Sequence, residues 1–538
     1  MRTLRALAVC GWFAALTVLM TWPIAAHIGD EAVSHQDVYF NMWRLEWFAH
    51  ALVTPGAHVF DANIFYPERD TFAYSDAMLV EDVIAAPLYW LHVAPVLVHN
   101  LLLLGAIALS GAAMFALAWH LTRSRAAAML AGIVFAFAPY RFEHLMHMEL
   151  QWTMWSPLAF LFLHRTLESG RWRDGIATGA SLALQMLSSI YYGVFLALLT
   201  AVAAVLLLPR DRRAPLRSVA RALAAGGVVA IVAVGLYARP YAAAHARVGD
   251  RPVGDIISFS ALPSSYVAAP PENRLYGRFD PPRNGMERRL LPGLIAVLLA
   301  LLGLLLIRPP TWTVVYLVLL AIAFELSLGL GGVSYRFLYD HAAMFRGFRA
   351  MARVGMFVLL FVAVLAAHGY RTLASGLGPG PRRVLAGALA ALMLFEYRSD
   401  VVLMAYPNEP TGVYRVLARQ PRGVVAEFPM PQADALPGAE AEHAYMSTFH
   451  WFPLVNGYSG NYPPSYLAMI DRLSGFPDAA SMRQLHADGV RYIVVHTSQY
   501  EADDLARVES GLRDLGTIEL GSFDDGNGTA ILYVLGGT

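Results

Sequence analysis

The feature that most constrains this chain is a succession of long apolar blocks, each interrupted by arginine-bearing or aromatic breaks. A block close to the ~20 residues needed to cross a hydrocarbon core reads as a transmembrane helix, because only a helix satisfies its own backbone there. The blocks recur through the first three quarters of 538 residues, of which 57% are hydrophobic and 15% charged. Such a surface-poor composition excludes an ordinary soluble protein. A net charge of zero gives no electrostatic case for a nucleic-acid partner. The lone Cys10 lies inside the first apolar run and forms neither an intrachain disulfide nor a cysteine zinc site.

Arginine asymmetry between the loops orients the spans. Residues 27–78 carry Asp30, Glu31, Asp37, Glu46, Asp61, Glu68, Asp70 and Asp76 against Arg44 and Arg69, so this acidic loop is expected outside. Arg123 and Arg125, then Arg165, Arg171 and Arg173, then Arg210 to Arg221, Arg308, and Arg371 to Arg383 are expected inside. The polar break Ser188-Ser189-Ile190-Tyr191-Tyr192-Gly193 divides a run too long for one crossing. The alternation predicts about eleven transmembrane helices with the N-terminus cytoplasmic. Residues 79–95 carry Glu81 and Asp82 near their start and read as a surface or partly re-entrant helix, because central carboxylates insert at a cost of roughly 3 kcal/mol each.

From about residue 400 the pattern changes. Val424–Phe428, Tyr492–His496 and Ala530–Val534 read as short buried strands, and Ser465–Leu473 and Asp503–Leu515 have helical spacing. The expected architecture is a polytopic α-helical membrane domain, 1–398, with an acidic first outer loop at 27–95. A C-terminal extracytoplasmic α/β domain, 399–538, follows it.

The candidate functional residues lie in the outer loops. Asp37, within His35-Gln36-Asp37-Val38-Tyr39-Phe40-Asn41-Met42-Trp43-Arg44, is a carboxylate suited to accept a proton from a hydroxyl, or else a helix cap. Tyr66, Asp76, Glu81 and Asp82 alternate aromatic and acidic character, which suits a sugar as well as an interfacial belt. In Tyr140–Gln151, Arg141 suits a phosphate, while Glu143, His144 and His147 offer a weak divalent-metal set if the histidines share a helix. Arg346, Arg349 and Arg353 fall at spacings of 3 and 4, on one face if helical, and on the side where arginine is disfavoured unless an anion meets it.

Together, Asp37, Trp43-Arg44-x-x-Trp47, Phe60–Pro67, Phe135–Arg141 and the 188–192 break resemble the GT-C superfamily of membrane glycosyltransferases, including its YfhO-like bacterial members. Val455–Gly460 and Gly489–Val495 resemble the soluble part of that group. The resemblance covers most of the chain and implies a bacterial plasma-membrane enzyme of the cell envelope. It implies a polyprenyl-phosphate-linked sugar donor, a glycan, lipid or protein acceptor, and inversion at the anomeric carbon. The base it implies is an outer-loop acid, Asp37 or, as part of the Asp30-Glu31 pair, Asp30. Arg44, Tyr191, Tyr192, Arg141 and the 346–353 arginines are the implied donor contacts. The rival readings are a lipid or glycan transporter, which places weight on Glu325 within a span, and a non-catalytic envelope-assembly protein.

Overall fold

The structure is a computed structural model that describes residues 2–279, 285–305, 310–433 and 435–536. Arg308, expected to mark an inner loop, lies outside the described residues. Five described helices are long and apolar enough to cross a membrane: Pro95–Thr122, Arg125–Glu143, Ile190–Asp211, Leu216–Val248 and Met351–Leu373. Leu4–Met20, Leu294–Leu305 and Thr311–Ser327 are shorter apolar helices. The chain is a membrane protein on this count. Trp155–Ser169, Trp172–Ser188 and Pro379–Glu396, expected as spans, are helical but do not meet the same length and apolarity.

Contacts divide the chain into two compact units. Unit 1 comprises Met1–Ala26, Leu101–Ala238 and Asp250–Val402. Its centre is the helix Gly355–Leu373, buried on every face, which packs against Leu294–Leu305, Thr311–Ser327 and Arg125–Phe137. Apolar character all round suits such an interior helix. By contrast, only 17% of the apolar window in Leu216–Val248 is buried within the protein, leaving that helix for lipid. Close helix approach depends on glycine. A Cβ on Gly179 would lie 1.9 Å from the Gly226 carbonyl oxygen, and one on Gly369 would lie 1.7 Å from that of Leu299.

The long helix of Arg125–Glu143 bends at Ala138-Pro139. Proline lacks the N–H and drives the preceding residue to an extended conformation, and Ala138 sits at φ −54°, ψ 148°. Ser124 caps its start by accepting from the Ala127 N–H. The bend lets Pro139–Glu143 begin a buried loop carrying the first candidate cluster.

Unit 2 comprises His27–Asn100, Arg239–Gly249 and Leu403–Thr538. A two-stranded ribbon pairs β1, Glu31–Val33, antiparallel with β2, Leu403–Ala405. The main sheet contains β3 (Val424–Phe428), β4 (Val490–His496), β5 (Ile518–Asp524) and β6 (Thr529–Val534) in the order β3-β4-β6-β5. β3 and β4 are parallel, with Val425 opposite Tyr492; the other pairs are antiparallel. Every residue of β3 is buried, which matches its unbroken apolar character apart from Glu427. The helix Gln36–Val53 packs on Leu79–Trp90 and Glu440–Met446. Leu79–Trp90 has 12 residues, roughly 18 Å at the usual rise, too short to span.

Candidate functional site

Two polar clusters, one in each unit, contain the candidate residues. In unit 2, Asp37 occupies the first turn of Gln36–Val53, where unpaired backbone N–H groups favour a negative charge. The Tyr458 hydroxyl donates to Asp37 Oδ1 in a short contact, and His35 Nδ1 lies 3.5 Å from Oδ2. The Asp37 side chain keeps 16% of its surface exposed, so it is shielded yet reachable. Burial, and then the adjacent Asp37 charge, push the Tyr458 hydroxyl well up, so it remains a proton donor toward the carboxylate.

Two turns along the same helix, Arg44 is buried. Its Nη1 donates to the Asp76 carbonyl at 2.6 Å, its Nη2 donates to Asn41, and its guanidinium lies over the Phe40 ring. Glu81 and Asp82 are fully buried in the first turn of Leu79–Trp90. Burial pushes the Asp82 carboxyl well up, against the opposing pull of Arg44. Tyr66 is partly exposed, beside an aromatic group in which Phe65 meets Tyr74, Tyr462 and Tyr466. Asp30 differs from Asp37: it is exposed on the approach to β1, near His27 and Glu31.

In unit 1, the loop after the proline bend folds around Arg141. Its Nη1 donates to the Leu150 carbonyl and Thr153 Oγ1, and its Nη2 donates to the Gln151 carbonyl. Gln151 Nε2 returns bonds to the Arg141 and His144 carbonyls. Arg141 therefore ties the loop together. His144 and His147 are not on one helix: the first ends Pro139–Glu143 and the second precedes Met148–Gln151. Their Nδ1 atoms nevertheless lie 3.1 Å apart. Among the described residues, Glu143, His144 and His147 do not form a three-ligand cluster, because Glu143 accepts instead from Arg289 at 2.7 Å.

The 346–353 arginines do not share a helical face. Two 3-10 turns, Ala343–Gly347 and Met351–Val354, flank an extended Phe348. Arg346 donates to the Tyr339 carbonyl. Arg353 forms a bidentate pair with Glu287, with Nε 3.0 Å and Nη2 2.6 Å from Oε1. Burial opposes the charge on Glu287, but Arg353 and His144 outweigh it and hold the carboxyl near about 2. Burial and the Glu287 field act in opposite senses on His144; burial wins and pushes it down to about 3.

Arg349 has no carboxylate partner among the described residues. Its guanidinium lies over the Phe259 ring, 5.3 Å from the centroid, and is part-exposed. The Tyr191 hydroxyl receives the Arg349 and Ala350 backbone N–H groups at 2.8 and 3.2 Å, fixing this turn. Arg251 stands near: burial, then the Arg349 charge, push it down to about 10. Tyr192 instead faces Tyr140, hydroxyl to hydroxyl at 3.0 Å. An aromatic-backed guanidinium beside a second cation is a site for an anionic group.

Sequence reasoning missed Glu287, Arg289 and Arg251 in unit 1 and Tyr458 in unit 2. The signal for the first three was a charged, non-apolar segment of some fifty residues between two spans, too long to be a mere connection. Glu325, the acid on which the transporter reading leans, lies at the end of Thr311–Ser327. Its Oε1 accepts from the Val333 and Ser334 N–H groups and so caps the next helix, Val333–His341.

No family model and no curated protein sequence matches the chain. Solved structures do, and they show the fold. The arabinofuranosyltransferase AftD from Mycobacteria aligns with a TM-score of 0.65 at 14% identity, over 98% of this chain and 40% of its own. A mutant of AftD aligns at 0.60 and 15% identity, over 98% and 41%. The chain thus spans about two fifths of the length of AftD. ArnT from Cupriavidus metallidurans, in the apo state, aligns over 98% of both chains at 14% identity, but its TM-score of 0.40 carries no argument.

Proposed function

We propose that the chain is a membrane glycosyltransferase that moves a sugar from a polyprenyl-phosphate-linked donor to an extracytoplasmic acceptor, at the plasma membrane, with its C-terminal domain outside. The observation that carries the reading is Asp37: a shielded acid at a helix start whose Oδ1 accepts from the Tyr458 hydroxyl, in a chain whose fold matches that of AftD.

In this reading Asp37 takes the proton from the acceptor hydroxyl, as a positioned general base does. The acceptor oxygen then attacks the anomeric carbon from the side opposite the phosphate. The carbon–oxygen bond to phosphate breaks, the polyprenyl phosphate leaves with the electron pair, and one displacement inverts the centre. Arg349, with Arg251 near it, is the unit 1 candidate for an anionic group such as the donor phosphate; stabilising the charge that grows on a leaving group is the chief electrostatic aid available. Arg141 and Arg353 act as positioning residues, because their guanidinium groups are engaged by loop carbonyls and by Glu287. Tyr66 and the neighbouring rings of unit 2 suit the apolar face of a sugar. Asp37 is preferred to Asp30, which is exposed beside His27 and Glu31.

The test is to compare lipid-linked sugars and cell-envelope glycans in cells with and without the chain. Accumulated donor together with a glycan lacking one residue supports transfer. Unchanged glycans with donor trapped on one leaflet support a transporter instead.

A further inference from the structure

A second polar centre lies in the sheet of unit 2. Parallel pairing of β3 and β4 brings Glu427 and His496 together at the strand ends, and the helix Glu440–Met446 lays His443 over them. The His443 and His496 rings stack with centroids 4.8 Å apart and planes 13° apart. His496 is held on both sides, Nδ1 2.8 Å from Asp525 Oδ2 and Nε2 2.8 Å from Glu427 Oε2. Tyr414 donates to the same Glu427 oxygen at 2.6 Å.

His443 is different. It is 1% exposed, and neither ring nitrogen has a hydrogen-bond partner among the described residues; the buried Glu427 Oε1 has none either. Native proteins rarely leave such atoms unmatched, so a group that accepts imidazole and carboxylate together is called for. One donor atom each from Glu427, His443 and His496 lies within 4.8 Å of the others. The far nitrogen of His496 is held by Asp525 at 2.8 Å, and a carboxylate behind a histidine in this way orients a metal-binding imidazole; Glu440 Oε1 lies 3.9 Å from His443 Nδ1, beyond hydrogen-bond reach.

We propose that Glu427, His443 and His496 bind a zinc ion, with Asp525 orienting the His496 imidazole. Two imidazoles and a carboxylate suit zinc, whereas calcium and magnesium prefer an all-oxygen shell. Near-complete burial leaves no route for a substrate, so the ion ties the helix Glu440–Met446 to β3 and β4.

The test uses the full chain, purified in detergent without chelator and dialysed, with bound metal measured by elemental analysis. About one zinc per chain is expected, falling to below about a tenth in His443→Gln and in His496→Gln. His27→Ala, in the exposed His27-Asp30-Glu31 group, should keep the zinc. Should the variants fail to fold, wild-type protein refilled with cobalt decides: visible ligand-field bands, lost on adding one equivalent of zinc, support the site. Wild-type protein that retains no zinc and shows no cobalt bands overturns it, as does zinc lost with His27→Ala.

Discussion

The polar cluster of unit 1 and the buried Glu440 of unit 2 hold a carboxylate in different ways. In unit 1, Glu287 and Glu143 are each closed by a guanidinium, Arg353 and Arg289. In unit 2, Glu440 accepts from the Asn456 amide and from the Gly457 N–H. Opposite charges in contact hold a shape but spend their charge on each other. A carboxylate facing neutral donors keeps its capacity to take a proton. One residue type, a buried glutamate, thus serves either as half of an ion pair or as a group that burial pushes up toward the protonated form.

The strongest way to break the comparison is Glu287→Gln. It leaves Arg353 buried without its counter-charge and should cost about 3–5 kcal/mol, seen as a lower melting temperature in detergent. The same pair gives a pH signature. The folded-state value of Glu287 lies below its ordinary 4.5, so its stabilisation is complete above that value and is lost as pH falls through about 2. Acid melts of the wild type should steepen across that window, and those of Glu287→Gln should not.

Arg349→Met sharpens the contrast within unit 1, because it removes a cation with no carboxylate to strand. It should raise KM for a lipid-linked donor by about 10–100-fold, the scale of one charged hydrogen bond, with the melting temperature kept. The smallest effect belongs to Tyr458→Phe. Loss of one neutral donor to Asp37 should lower kcat by about tenfold, measured beside an unchanged KM.

Long apolar runs announced the spans, and the Ser188-Ser189 break correctly divided Trp172–Ser188 from Ile190–Asp211. Val424–Phe428 and the helices Pro464–Arg472 and Ala502–Asp514 were equally legible, because burial and amphipathic spacing are written locally. The helix Gln36–Val53 was not: twelve of its eighteen residues are buried on several faces, so no single stripe marks it. Edge strand Ile518–Asp524 is mostly exposed and lacks a buried alternation. The shared face that a helix through Arg346–Arg353 would give does not form, because Arg346 turns back to the Tyr339 carbonyl while Arg353 is drawn to Glu287, 66 positions away. Spacing alone cannot supply a partner so distant in the chain.

The central claim is that Asp37 is a working base, and the direct measurement is sugar transfer by purified Asp37→Asn in lipid nanodiscs, given a polyprenyl-phosphate sugar and an envelope acceptor. A fall of about 10²–10⁴-fold, with wild-type melting and with Asp30→Asn still active, is the predicted result. Transfer by Asp37→Asn at the wild-type rate would contradict the account.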